Sequence, residues 1–347
     1  MSTESSTCGS ATKQSQIMKL LRPTILTLAT AGLLASSALA ADNPFLGRWA
    51  LTIPGGGAGW LNVNKQDGYY TAEMLWGGGS VFSLDAVCFD KDALYLTRVR
   101  EVKRKVGPPQ HVAEAIVAHI EGDTLKLVQM NPHNDGEAIS RDEFTGKRIP
   151  DVPPAPDLSK VKFGEPISLF NGKDLTGWKL TDPGAKNGWS VQDGLLTNDP
   201  KQQPGHHENY GNLRTEKEFE DFNLKVEVNV GKDCNSGIYL RGIYEIQVAD
   251  TYGRPLDSHN MGGLYSRITP SVAAENPPGE WQTFDITLVD RHLTVILNGK
   301  KIIDNQPVLG CTGGALWSDE FRPGPIYLQG DHTGIKYRSV VLKPVVK

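Results

Sequence analysis

Residues 235–250, NSGIYLRGIYEIQVAD, interleave apolar side chains with a polar series: Asn235, Tyr239, Arg241, Glu245 and Gln247. A β-strand sends successive side chains to opposite faces, so Ile238, Leu240, Ile246 and Val248 can bury while the polar series shares the other surface. A cation, a carboxylate, two amides and an aromatic ring side by side suit a hydroxyl-rich ligand: the polar groups grip hydroxyls while the ring covers an apolar patch. Similar residues return in LQGDHTG, where Gln329, Asp331 and His332 crowd a strand end. Taken alone, the series also reads as a solvated sheet face carrying an ion pair of little energetic worth.

The register of the hairpin decides which of these residues meet. A two-residue turn at Gly242-Ile243 would set Leu240 opposite Glu245 and mix the two faces. A three-residue loop, Gly242 to Tyr244, keeps them apart and pairs Arg241 with Glu245 and Tyr239 with Gln247, which is the expected register. Gly237 leaves open space beside the pair.

The elements that must position these groups are strands throughout, so the fold class is all-β. FNLKVEVNV sets Phe222, Leu224, Val226, Val228 and Val230 on one face against Lys225, Glu227 and Asn229 on the other. WQTFDITLVDRHLTVILNGKKIID reads as three strands joined by an Asp-Arg turn and an Asn298-Gly299 turn. About a dozen such strands in the second half predict two stacked antiparallel sheets, a jelly-roll β-sandwich. Residues 42–149 alternate short strands with turns at Gln66-Asp67-Gly68, Asp90-Lys91-Asp92 and Glu121-Gly122-Asp123, predicting a small up-and-down β-barrel. HVAEAIVAHI is read as a strand because a Glu-Gly-Asp turn and LKLVQ follow it. Between the halves, the proline-rich residues 150–164 form an extended linker.

The chain has 347 residues, 39% hydrophobic and 22% charged, which describes a globular protein with ample core. Residues 1–41 read as a signal region. From Met18, the expected start, a basic segment and an apolar run lead to Ala38-Leu39-Ala40, with cleavage after Ala40. The mature protein is therefore expected to be exported, to the periplasm or the extracellular space. No stretch approaches the ~20 apolar residues of a membrane span. Without residues 1–41, which hold Lys13, Lys19, Arg22 and Glu4, 33 basic residues face 39 acidic ones, a net charge of −6. That balance argues against nucleic acid as a partner. Cys88, Cys234 and Cys311 remain, an odd number that rules out a fully paired framework and leaves a Cys234–Cys311 bridge open.

SLFNGKDLTGWKL, FEDFNLKVEV, NSGIYLRG, YEIQVADTYG, GGLYSRITPSVAAENPPGEWQTFDI, LTVILNGKKIID and GPIYLQGDHTGIKYRSVVLKP follow one another in order between residues 165 and 345. Together they resemble the 3-keto-disaccharide hydrolase domain family. Gly47-Arg48-Trp49 is similar to the entry of a lipocalin-like barrel, an accessory domain in this setting. The resemblance implies a concanavalin A-like jelly roll over residues 165–347 and action on glycosides already oxidised at C3 of the sugar. A C3 ketone acidifies the C2 proton; a base removes it, and the enolate expels the C1 substituent to leave an enone to which water can add. Such a site needs a base near C2, stabilisation for the enolate oxygen and an acid for the leaving group.

On this chain the resemblance implies Glu245 as base or acid and His332 as the second member of the pair. Arg241 would stabilise the enolate or hold Glu245 ionised. Asn235, Gln247 and Gln329 would hold hydroxyls, Tyr239 or Tyr265 would cover a ring face, and Asp250 would orient a partner. No cofactor is firmly implied; a divalent cation is the alternative electrophile to Arg241. The partners implied are a carbohydrate substrate and a separate sugar C3-oxidising enzyme that supplies it. One rival is a non-catalytic, lectin-like carbohydrate-binding module, which needs amides and rings more than a base beside a cation. Another is a two-carboxylate hydrolase of unoxidised sugar, for which only Asp250 or Asp331 could face Glu245. HHEN at residues 206–209 and His259 read as loop and rim contacts, and Trp60 and Trp76 as barrel core.

Overall fold

Strand alternation shapes both halves of this computed structural model, which describes residues 43–203 and 208–346. The signal region and the His206-His207 pair lie outside the described residues. Within the described residues no helix is long and apolar enough to cross a membrane. The first half comprises β1 (Gly47–Thr52), β2 (Ala58–Gln66), β3 (Tyr69–Trp76), β4 (Phe82–Ser83) and β5 (Ala86–Asp90). It continues with β6 (Ala93–Val102), β7 (Gln110–Glu121), β8 (Thr124–Pro132) and β9 (Ile139–Ile149). All pair antiparallel in the order β4-β3-β2-β1-β9-β8-β7-β6-β5. The Leu84 N–H donates to Ala72 O of β3 and the Asp85 N–H to Thr97 O of β6, each at 2.9 Å. The short β4 and β5 thus act as one kinked strand that joins both edges and closes the barrel. Asp67 and Gly68, at φ 51° and 86°, make the two-residue turn between β2 and β3 that a right-twisted hairpin favours.

The second half is a sandwich. Its smaller sheet holds β11 (Trp178–Leu180), β14 (Leu213–Thr215), β16 (Asn235–Leu240), β17 (Tyr244–Ala249) and β21 (Tyr327–Leu328), in the order β11-β14-β21-β16-β17. Its larger sheet holds β10 (Ile167–Ser168), β12 (Trp189–Gln192), β13 (Leu195–Asn198), β15 (Phe222–Val230) and β18 (Trp281–Val289). It also takes in β19 (His292–Leu297), β20 (Lys300–Pro307) and β22 (Ile335–Pro344), ordered β12-β13-β22-β15-β18-β19-β20 with β10 on β22. Phe222, Leu224, Val226, Val228 and Val230 of β15 are all buried, as the alternation requires. Ile238, Ile246 and Val248 from the smaller sheet belong to the same core. Residues 262–265 run beside β17: the Gly262 N–H donates to Gln247 O at 2.8 Å and the Tyr265 N–H to Glu245 O at 2.9 Å. The polar face of the hairpin is therefore widened on that side. Cys88, Cys234 and Cys311 are all free, so Cys234 and Cys311 form no bridge.

The barrel has its own interior core, but its outer face also packs into the core of the sandwich. Leu61 and Val63 point into the barrel, so Trp60, the residue before Leu61 in β2, points out; with Leu75 and Ile149 it joins the sandwich cluster. Trp60 is thus a junction residue and not barrel core. The Arg267 guanidinium lies 4.2 Å from its ring centroid, and Gly310 packs so close that a Cβ there would come 2.8 Å from Trp60 Cε2. Removing the Trp60 ring by Trp60→Ala should cost about 3–5 kcal/mol of stability. Chemical denaturation reads this directly, and an unchanged midpoint would contradict this packing.

Candidate active site

The hairpin turns on Arg241, Gly242 and Ile243, and its register pairs Leu240 with Tyr244, Tyr239 with Glu245 and Gly237 with Gln247. The loop has three residues, as segregation of the faces demands, but it sits one position earlier than expected. Arg241 and Gly242 supply the turn's left-handed pair at φ 55° and 70°, while Ile243 and Tyr244 are drawn into the core. Arg241 therefore leaves the polar face. Its guanidinium donates to the carbonyls of Glu320 at 2.6 Å and Arg322 at 2.6 and 3.2 Å, so it neither pairs with Glu245 nor reaches the site.

Tyr239 takes the place opposite Glu245. It is 1% exposed and stacks on Tyr327 with ring centroids 4.0 Å apart and planes 7° from parallel, so it cannot cover a ligand ring. Its hydroxyl lies 2.8 Å from Glu245 Oε2 and 2.7 Å from the Gly313 carbonyl. A phenol carries one proton, and both neighbours accept when Glu245 is ionised. All contacts are satisfied when Tyr239 donates to Gly313 O and a protonated Glu245 donates to Tyr239. The electrostatics agree: burial pushes the Glu245 carboxyl up to about 8. The Tyr239 hydrogen bond and the His332 charge oppose that rise, and Asp331 adds to it. The space beside Gly237 is filled by this carboxyl, since a Cβ there would lie 2.9 Å from Glu245 Cγ.

Gly313 is itself braced by the barrel. The Gly314 N–H donates to Gly77 O at 3.2 Å, and a Cβ on Gly313 would meet Gly79 N at 2.7 Å. Nearby, the Val81 N–H donates to Ser266 Oγ and Ser80 Oγ lies 2.9 Å from His259 Nε2. The glycine run 77–79 thus holds the carbonyl that orients Tyr239.

His332 stands at the open end of this face, its side chain 42% exposed and its Nδ1 3.1 Å from Asp331 Oδ1. That contact holds the imidazole above its ordinary value. Gln247 donates to Asn235 Oδ1 at 3.2 Å, while the Asn235 N–H donates to Thr333 Oγ1 at 2.7 Å. Among the described residues, the buried Gln247 Oε1 and Gln329 Oε1 have no hydrogen-bond partner. Tyr265 is half-buried on the Glu245 side, edge-on to His259 at 4.8 Å. Asp250 is not in the site: its carboxylate accepts the Asp233 N–H at 2.9 Å. The face thus gathers Glu245, Gln247, Asn235, Gln329, Tyr265 and His332, and leaves out Arg241 and Asp250. Sequence reasoning missed Tyr327, whose hydroxyl accepts from Asn212 Nδ2 at 3.0 Å. Its signal was the alternation Tyr327, Gln329, Asp331.

Among the described residues no three His, Cys, Asp or Glu side chains gather as a metal-ligand group, so the donors do not fit a three-ligand cation centre.

A family model for a 3-keto-alpha-glucoside-1,2-lyase-like domain matches residues 165–343. No curated protein matches the chain. Among solved structures the chain is similar to a protein of Parabacteroides distasonis ATCC 8503 whose assignment as a glycosyl hydrolase is provisional. The two are 30% identical over 56% of this chain and 93% of that one, with a TM-score of 0.43. A second such protein from the same organism is 23% identical over 52% and 94%, with a TM-score of 0.41. SCLam, a non-specific endo-beta-1,3(4)-glucanase from family GH16, is 12% identical over 56% and 93%, with a TM-score of 0.34.

A carboxyl raised to about 8 costs stability as pH rises from the ordinary Glu value of about 4.3, because the unfolded chain ionises first. Below that range both states hold the proton and the cost vanishes. Glu245→Gln, which mimics the protonated acid and can still donate to Tyr239, should raise the melting temperature by several degrees near pH 8 and leave it unchanged near pH 4. A pH-independent difference, or a loss of stability at pH 8, would show Glu245 to be ionised and satisfied.

Proposed function

Because the chain belongs to the 3-keto-alpha-glucoside-1,2-lyase-like family, we propose that it cleaves 3-keto-glycosides by C2 proton abstraction and elimination. The observation that carries this reading is the buried Glu245 carboxyl, short of a donor while Tyr239 serves Gly313, in one electrostatic environment with the His332–Asp331 pair. Both groups hold protons more tightly than usual, Glu245 because burial disfavours its charge and His332 because Asp331 favours its charge. The buried carboxyl suits an acid and the more exposed imidazole, once neutral, a base. Glu245 holds its proton at neutral pH and acts as the acid. His332, its Nδ1 turned to Asp331, takes the C2 proton at its other ring nitrogen.

The C2–H electron pair moves toward the C3 carbonyl as an enolate. Return of that charge expels the C1 oxygen, which takes the proton from Glu245, and forms the C1–C2 double bond. The products are an enone sugar and a free alcohol; water added at C1 turns the outcome into hydrolysis. The Gln247 and Gln329 amides, rather than Arg241, supply the polar contacts to the sugar. A separate enzyme must first oxidise the sugar at C3. The signal-like residues 18–40 support an exported site of action.

The two-carboxylate alternative loses its second acid, since Asp250 is bound to the Asp233 N–H and Asp331 faces His332. Leaving-group dependence tests the assignment of acid. With a 3-keto-disaccharide, whose alcohol needs protonation, Glu245→Gln should lower kcat by about 10²–10⁴-fold. With a 4-nitrophenyl 3-keto-glucoside, whose phenolate leaves unaided, the loss should be small. Equal losses on both substrates would remove Glu245 from the acid role.

A further inference from the structure

The barrel contains a cavity of about 910 Å³ that the sandwich chemistry does not use. Its lining follows a change of character at one level across four neighbouring strands. The inward series on β6 runs Leu94, Leu96, Arg98, Arg100, and on β8 it runs Leu125, Leu127, Gln129, Asn131. On β7 Ala118 and Ile116 give way to Glu114, and on β9 Phe144 gives way to Asp142. Register sets Arg98 opposite Glu114 and Gln129 opposite Asp142. One end of the barrel is a packed apolar plug and the other a polar cup.

The cup is organised. Arg100 pairs with Glu114 and donates to Asn131 Oδ1 at 3.1 Å, and both Glu114 and Gln129 are 8% exposed. Trp76 and Phe82 form the facing wall, Trp76 braced edge-on by Phe144 at 5.1 Å and Phe82 carrying the Arg98 guanidinium at 3.9 Å from its ring centroid. Trp76 therefore lines the barrel mouth instead of filling its core.

We infer that this cup is a second binding site, for a neutral hydroxyl-rich ring such as an unoxidised mono- or disaccharide. Its volume falls within the ~300–1,000 Å³ of small-molecule sites. Arg98 and Arg100 face Glu114, Asp135 and Asp142, so the lining disfavours an anion and leaves at most one carboxylate in surplus for a cation. A fatty ligand would strip water from those charges without return. Paired donors and acceptors on one wall and an indole on the other match a sugar's hydroxyl rim and apolar ring face. The cup thereby gives the barrel a tethering role, distinct from cleavage, on the glycan that presents the substrate.

The test is titration of the full chain with maltose, cellobiose and methyl β-glucoside, read by calorimetry and saturation-transfer NMR. Binding at millimolar sugar should weaken about tenfold or more in Trp76→Ala and in Asn131→Ala. It should survive in Gln329→Ala on the sandwich face. Melting curves show whether each variant is folded, and Asp142→Asn, at the mouth, is a second probe that leaves the plug intact. Binding of none of the three sugars, or binding lost in Gln329→Ala and untouched by the barrel variants, would overturn the inference. So would displacement of the sugar by dodecanoate, which would make the cavity a lipid site.

Discussion

The site rests on one proton shared among three oxygen atoms. Tyr239 has a single hydroxyl hydrogen between the Gly313 carbonyl and the Glu245 carboxyl, and it cannot serve both when Glu245 is charged. In water this would cost little, but Glu245 is 3% exposed and Tyr239 1%, so the unmet contact falls in a low-dielectric interior. Keeping the carboxyl neutral resolves it. A buried, proton-holding acid beside the polar face of the hairpin follows from that local constraint.

Much of the surrounding structure holds this arrangement in place. Gly237 removes a side chain so that the Glu245 carboxyl can lie against the sheet, and Tyr327 fixes the Tyr239 ring by stacking on it. Asn212 holds Tyr327, and the Gly77–Gly79 run of the barrel presses on Gly313 and Gly314. The barrel is thus mechanically part of the site even though its own polar cup lies elsewhere. This explains why glycine recurs on both sides of the junction: a Cβ on Gly313 would push the two halves apart.

How far the sequence revealed this depended on whether a feature was periodic or contextual. The β15 alternation from Phe222 to Val230 and the Asp67-Gly68 turn are local patterns, and they fold as their chemistry prescribes. The polar face of β16 and β17 was legible for the same reason. Its exact partners were not, because a loop of three residues fits at Arg241–Ile243 or at 242–244 with the same segregation. Burial of Ile243 and Tyr244, a tertiary effect, chose between them and carried Arg241 away. Barrel closure through Leu84 and Asp85 is likewise a matter of two backbone hydrogen bonds that no side-chain pattern announces.

The most direct test of the account is proton chemistry at C2 of the sugar. A 3-keto-glucoside deuterated at C2 and its unoxidised parent would be incubated with the protein and followed by mass spectrometry. The account predicts release of the alcohol from the ketone alone, with deuterium lost from C2, and no deuterium loss with His332→Ala. Cleavage of the unoxidised parent, or cleavage of the ketone with deuterium retained, would contradict it.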